Sequence, residues 1–203
     1  LAPYYPKPAQ PATHLPFGAA TLYLFRPFNR STIMATIPHF GEAVHAALPY
    51  IKNGGDPLSI THHTLKKTLP QYMEVHTDDV PSFSDQQTSY IKYCWQYVAE
   101  VIALAENVWI EPRTPNGRTP DIILVHKERL YVIDIKAWIP GSLSDRGKKG
   151  DKILKQVYDS AWLIHKALGP KMPVFAYVLF FPNQAGHKFF PDPEWRLIGQ
   201  INA

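Results

Sequence analysis

Two aspartates and a lysine offer the clearest chemistry in this chain. Asp121, Asp134 and Lys136 fall within residues 119–138, which read TPDIILVHKERLYVIDIKAW. Two β-like runs, 122–126 and 130–135, flank a short polar stretch at 127–129, and this spacing predicts a hairpin. Side chains alternate along a strand, so Asp134 and Lys136 share a face while Ile135 takes the other. A hairpin centred near Glu128 sets Asp121 roughly opposite Lys136. Three charged groups then gather beside an otherwise apolar strand (Leu130, Val132, Ile133, Ile135), where unpaired charge is costly. Two hard carboxylate ligands beside an ammonium suit Mg²⁺ or Mn²⁺. Such an ion polarises a phosphoryl group and lowers the pKa of a bound water. Lys136 would orient that water or stabilise developing charge. The same residue types elsewhere make a surface ion pair and a Pro-Asp turn; the apolar setting favours the cluster.

Pro120-Asp121 followed by Asp134-Ile135-Lys136 resembles the PD-(D/E)xK signature of the restriction-endonuclease-like nuclease superfamily. The aromatic at Trp138 and the basic segment after it most resemble the nuclease-related (NERD) branch. The resemblance spans roughly residues 84–183. It implies phosphodiester hydrolysis in DNA, with Asp121, Asp134 and the main-chain carbonyl of Ile135 holding Mg²⁺ or Mn²⁺. It also implies a further carboxylate from the helix before the first core strand. Glu100 matches that acid best by register, although the family often places it near the helix start, where this chain has Asp85, Gln86 and Gln87. The helix after the Asp-x-Lys strand often turns a glutamine or lysine into the site in this family. Gln156 fits that role, with Lys152 one turn earlier on the same face.

The elements that must position these groups follow from periodicity. Residues 84–106 predict a long helix, opened by a capping box at Ser84 and Gln87 and striped by Ile91, Trp95, Val98, Ile102 and Ala105. Glu100 lies on the face of Tyr93, Tyr97 and Leu104. Residues 108–111 predict a strand and 112–119 a turn with Asn116-Gly117 at its tip. Arg113 and Arg118 flank that tip and read equally as phosphate contacts or as a solvated loop. After the two signature strands, residues 140–152 predict a flexible basic loop. Its Arg146, Lys148, Lys149 and Lys152 are placed to hold a nucleic-acid backbone. A helix over 151–168, capped at Asp151, leads to the apolar run 174–181, expected as a buried central strand. Residues 195–201 predict a last strand. The order helix, strand, strand, strand, helix, strand gives an α/β fold with an αβββαβ core and a mixed central sheet, as in restriction-endonuclease-like proteins.

The front of the chain predicts a small, mostly helical N-terminal extension. Residues 1–18 read as a proline-rich arm, 19–80 as an accessory subdomain, and 81–203 as the nuclease-like domain. Within the front, 19–28 predict a strand, 38–50 a helix and 59–69 a second helix. His62-His63 and the His76-Thr77-Asp78-Asp79 run lack partners at ligand spacing and read as polar surface.

Composition adds bounds. The chain has 203 residues and a formal charge of +4, compatible with a polyanionic partner. A single cysteine, Cys94, excludes an internal disulfide framework and favours a reducing compartment; it reads as a buried structural thiol. Apolar runs of membrane-span length, a secretory leader and a glycine-rich phosphate loop are missing from the sequence, so an intracellular setting, cytoplasmic or nuclear, is expected. The expected partner is DNA, with a second copy or a larger DNA-processing complex where both strands are cut. The alternative is a nuclease-like fold without catalysis that binds nucleic acid or protein.

Overall fold

The computed structural model describes residues 37, 39–46, 48–56, 67, 69, 83–114, 117, 119–138, 147–168, 171–183 and 193–202, with backbone only at 138 and 147–151. The proline-rich arm, the strand expected at 19–28, His62-His63, the 76–79 run, Arg118 and Arg146 lie outside them.

Five strands form one sheet in the order β1 (Asn107–Ile110), β2 (Ile122–His126), β3 (Arg129–Trp138), β4 (Val174–Pro182) and β5 (Glu194–Ile201). All neighbours run antiparallel except β3 and β4, which are parallel. A parallel pair needs a long crossover, supplied here by a helix of residues Gly147–Leu168. The sheet is therefore mixed, as expected.

Helices cover both faces. On one face, α1 (Phe40–His45), α2 (Leu48–Lys52) and α3 (Asp85–Ala103) pack with Ile122, Leu124, Tyr131, Ile133, Ile135, Tyr177, Leu179 and Phe181. On the other, α4 (Gly147–Leu168) sets Val157, Ala161 and Ile164 against Ile123, Leu130, Val132, Val174, Ala176, Val178 and Phe180. The alternation of one strand thus feeds two cores, which is why β3 and β4 read as almost continuously apolar.

Helix α3 opens as its sequence predicts. Ser84 Oγ accepts from Gln87 N at 3.2 Å and Gln87 Oε1 accepts from Ser84 N at 2.9 Å, completing the capping box. Cys94 is fully enclosed, and burial raises its thiol well above the ordinary value, so it is a structural residue. The segment expected as one helix over 38–50 is two short helices, broken around Ala46. Phe40, Ala43, Val44, Ala46 and Leu48 share the core of α3 and the sheet.

Helix α4 begins at Gly147, not at Asp151, so Asp151 lies inside it rather than at its N-cap position. Glycine at 147 and 150 argues against helix locally. Extending a nucleated amphipathic helix by one turn nevertheless costs little.

The hairpin differs from its prediction in one consequential way. The turn is two residues, Lys127 and Glu128, both left-handed at φ 47° and 56°, as a type I′ turn requires. Arg129 is already paired with His126, and the ladder runs to Ile122 opposite Ile133. One step further, Asp121 falls level with Asp134 rather than with Lys136. Proline at 120 has no N–H to continue the ladder, and regular pairing ends there.

Candidate active site

Asp121 stands where β2 begins, and Asp134 and Lys136 stand on the exit half of β3. By alternation the latter two point to the α4 side. Both aspartates are buried. Like charges directly opposite on neighbouring strands repel, and the register imposes that arrangement.

The two carboxyls hydrogen-bond each other, and each has further partners. Lys136 Nζ lies 2.5 Å from Asp134 Oδ2 and donates to the Ile135 carbonyl at 3.0 Å. Asp121 Oδ2 accepts the Ile135 backbone N–H at 2.5 Å, so a side chain replaces the missing rung of the ladder. The same oxygen lies 3.2 Å from His45 Nε2. Burial pushes the Asp121 carboxyl up, but the hydrogen bond and charge of His45, then Lys136, bring it below the ordinary 3.8. Asp134 goes the other way. Burial and the Asp121 charge raise it from 3.8 to about 6, against the pull of Lys136. Two neighbouring carboxyls pushed in opposite directions mark a strained acidic pair.

Two further groups join the site without any signal in the local sequence pattern. His45, from α1, is itself raised: its contact and charge interaction with Asp121 and its bond to Gly41 outweigh burial. Glu111 follows β1, with φ 48°. Its N–H donates to the Asp121 carbonyl at 2.9 Å, which puts Glu111, Asp121 and Asp134 at successive positions across three strands. Burial, then the Asp121 charge, raise Glu111. His45 lies 76 positions from Asp121, and Glu111 joins the row only once β1 pairs with β2.

Glu100 is not brought to the cluster. Its Oε1 accepts from Gln96, and the groups acting on Asp121 and Asp134 do not include it. The cause is the direction of α3. Tyr90, near its start, donates to the Pro182 carbonyl at the exit end of β4. Leu104, just past its end, meets His126 beside the hairpin turn. Glu100 therefore sits about one turn, roughly 6 Å, from the wrong end of the sheet. The register of a helix stripe reports face, not which end meets the site.

The remaining expected residues are scattered. Gln156 and Lys152 are exposed on α4, and Arg113 is exposed after β1. Lys148 and Lys149 fall in the first turn of α4.

Residues 96–181 match the family model of the nuclease-related domain (NERD). Over that stretch the chain is similar to the family that its Asp-x-Lys strand resembles. The match takes in the end of α3, β1 to β3, α4 and most of β4. It leaves out α1 with His45, and β5. Comparison with curated proteins and with solved structures gave no match. Among the described residues no helix is long and apolar enough to cross a membrane.

The chemistry of the Asp121–Asp134 pair fits a small hard cation. Among the described residues no three His, Cys, Asp or Glu side chains form a ready-made ligand shell. Mg²⁺ needs none: it commonly binds one or two carboxylates and keeps waters or substrate phosphate oxygens as its other ligands. Two buried, opposed carboxylates, one held protonated up to about pH 6 by burial and by the charge of the other, are a donor set that a divalent charge would relieve.

Proposed function

We propose that this chain is a metal-dependent nuclease that hydrolyses phosphodiester bonds in DNA, built on the restriction-endonuclease-like core. The observation that carries the reading is the buried Asp121–Asp134 pair with Lys136 on Asp134, set inside a segment that matches a nuclease-related domain. Asp121 and Asp134 would hold Mg²⁺ or Mn²⁺. A bound ion supplies Lewis acidity and an acidified water. Lys136, anchored between Asp134 and the Ile135 carbonyl, would orient that water or stabilise charge on the scissile phosphate. Gln156, on α4, would support the site, and the exposed Lys152 and Arg113 would contact the backbone of the substrate. DNA, rather than RNA, is implied by the family and not by these residues.

The test is cleavage of supercoiled and single-stranded DNA in Mg²⁺, Mn²⁺ or EDTA, comparing the native chain with Asp134→Ala and Lys136→Ala. Cutting that needs the ion and disappears in both variants supports the proposal. Cutting that survives EDTA or both substitutions refutes it. DNA binding without cutting under any condition favours a binding module.

A further inference from the structure

We propose that His45 is a positioning residue for the acidic pair: it commits Oδ2 of Asp121, so that Oδ1 is the oxygen Asp121 presents to a divalent cation. The inference rests on the metal-dependent reading above and assigns a role to a helix outside the nuclease-related match.

A carboxylate oxygen accepts about two hydrogen bonds comfortably. Asp121 Oδ2 meets two nitrogens, Ile135 N at 2.5 Å from β3 and His45 Nε2 at 3.2 Å from α1. These arrive from different layers of the fold, so the carboxylate is held against rotation from two sides. The Asp121 carboxyl also makes a side-chain hydrogen bond with Asp134, and Oδ1 is the oxygen not engaged by His45 and Ile135.

The imidazole is itself fixed. His45 Nδ1 lies 2.7 Å from the Gly41 carbonyl, one turn back on the same helix. A carbonyl only accepts, so Nδ1 carries a proton. The opposite nitrogen, Nε2, lies 3.2 Å from Asp121 Oδ2. The ring is thus a two-ended strut between a helix carbonyl and Asp121. Carboxylates and histidines around metal sites are commonly oriented by such outer hydrogen bonds.

Helix α1 keeps its place without this ring. Trp95 Nε1 donates to the carbonyls of Ala43 and Val44 at 3.0 and 3.1 Å. Phe40 stacks on Tyr90 with centroids 5.2 Å apart. Ile37, ahead of α1, exchanges two hydrogen bonds with the Asn183 side chain. A Cβ on Gly41 would stand 3.4 Å from Ala137 Cβ, so the helix already rests against β3. Loss of the imidazole should therefore free the Asp121 carboxylate while α1 stays docked.

The experiment is a calorimetric titration of the whole chain with Mn²⁺, comparing wild type, His45→Ala and His45→Gln, with metal-free thermal unfolding of each. His45→Ala should bind Mn²⁺ on the order of tenfold more weakly, the lower end for lost outer hydrogen bonds at metal sites. His45→Gln keeps an N–H donor at similar reach and should recover most of that loss, although both variants remove the same ring from the packing. Equal Mn²⁺ affinity in wild type and His45→Ala overturns the proposal, as does a His45→Gln affinity no better than that of His45→Ala. If His45→Ala does not fold, His45→Leu, which fills the space without a donor, takes its place, and an affinity equal to that of wild type overturns the proposal. Wild type that binds no Mn²⁺ overturns the metal-dependent reading and this inference together, so the two failures are distinguishable.

Discussion

Replacing Asp134 by asparagine should make the protein more stable at neutral pH while removing its proposed chemistry. Asparagine stands in for the protonated carboxyl. In the folded chain Asp134 titrates near 6 rather than 3.8, because burial and Asp121 oppose its charge. A folded-state pKa above the unfolded value means that the native state holds the proton more tightly. The stabilisation is complete below about pH 4 and is lost as pH rises to about 6 and beyond. The loss is on the order of 3 kcal/mol, at about 1.4 kcal/mol per tenfold, and it is an upper figure because Asp121 shares the titration. The Asp134→Asn protein does not incur it. For a chain of this size the gain at pH 8 corresponds to a rise in Tm on the order of 5–10 °C. Thermal unfolding of both proteins from pH 4 to pH 8 checks this: the curves should converge at the acid end and separate through pH 5–6. Saturating Mn²⁺ should then raise wild type, by about 2.7 kcal/mol at a hundred times Kd, and leave Asp134→Asn nearly unmoved. Cation binding to wild type should strengthen through the same pH window, since the ion needs the ionised carboxylate. An Asp134→Asn protein less stable than wild type at pH 8, or a gap that does not close in acid, would refute the reasoning.

Asp121→Asn should act in the opposite direction. The Asp121 carboxyl is held below its ordinary value with His45 as the largest favourable cause. Its charge therefore stabilises the fold above about pH 4 and ceases to as pH falls further. The substitution should cost about 1–3 kcal/mol at pH 7, the range for a buried hydrogen-bonded partner lost, measured by urea unfolding. Replacing Lys127-Glu128 by Asn-Gly should stabilise by roughly 1–2 kcal/mol, since both positions are left-handed and Asn-Gly suits a type I′ turn; chemical unfolding reads it, and an unchanged midpoint would count against the turn. Glu100→Gln should leave Mn²⁺ affinity as it is, because Glu100 is absent from the groups acting on the aspartates; a clear loss in titration would return it to the site.

Much of the frame is legible because it is periodic. The capping box, the α3 stripe, the apolar run of β4 and the alternation of β3 each follow from neighbours within a few residues. The same local rule places Asp134 and Lys136 on one face. What escapes is set by long-range geometry. The sequence pairs Asp121 with the wrong partner because 127–129 look like a three-residue turn, whereas two left-handed residues, neither Gly nor Asn, make the bend. It favours Glu100 because helical register gives a face but not the direction of travel across the sheet. His45 and Glu111 enter only through contacts between separate elements.

The two-residue turn has a further consequence for how such a chain can vary. It works as a ruler. Counting back from Lys127 and forward from Glu128 in equal steps arrives at Asp121 and Asp134 together. One added residue there would set Asp121 out of step with the strand beyond, pulling its carboxylate from the Ile135 N–H, even if every side chain of the cluster were retained. Substitution at the turn is therefore open to drift, whereas insertion or deletion is closed to it. The span most exposed to solvent in this hairpin is the one whose length the buried acids can least allow to change.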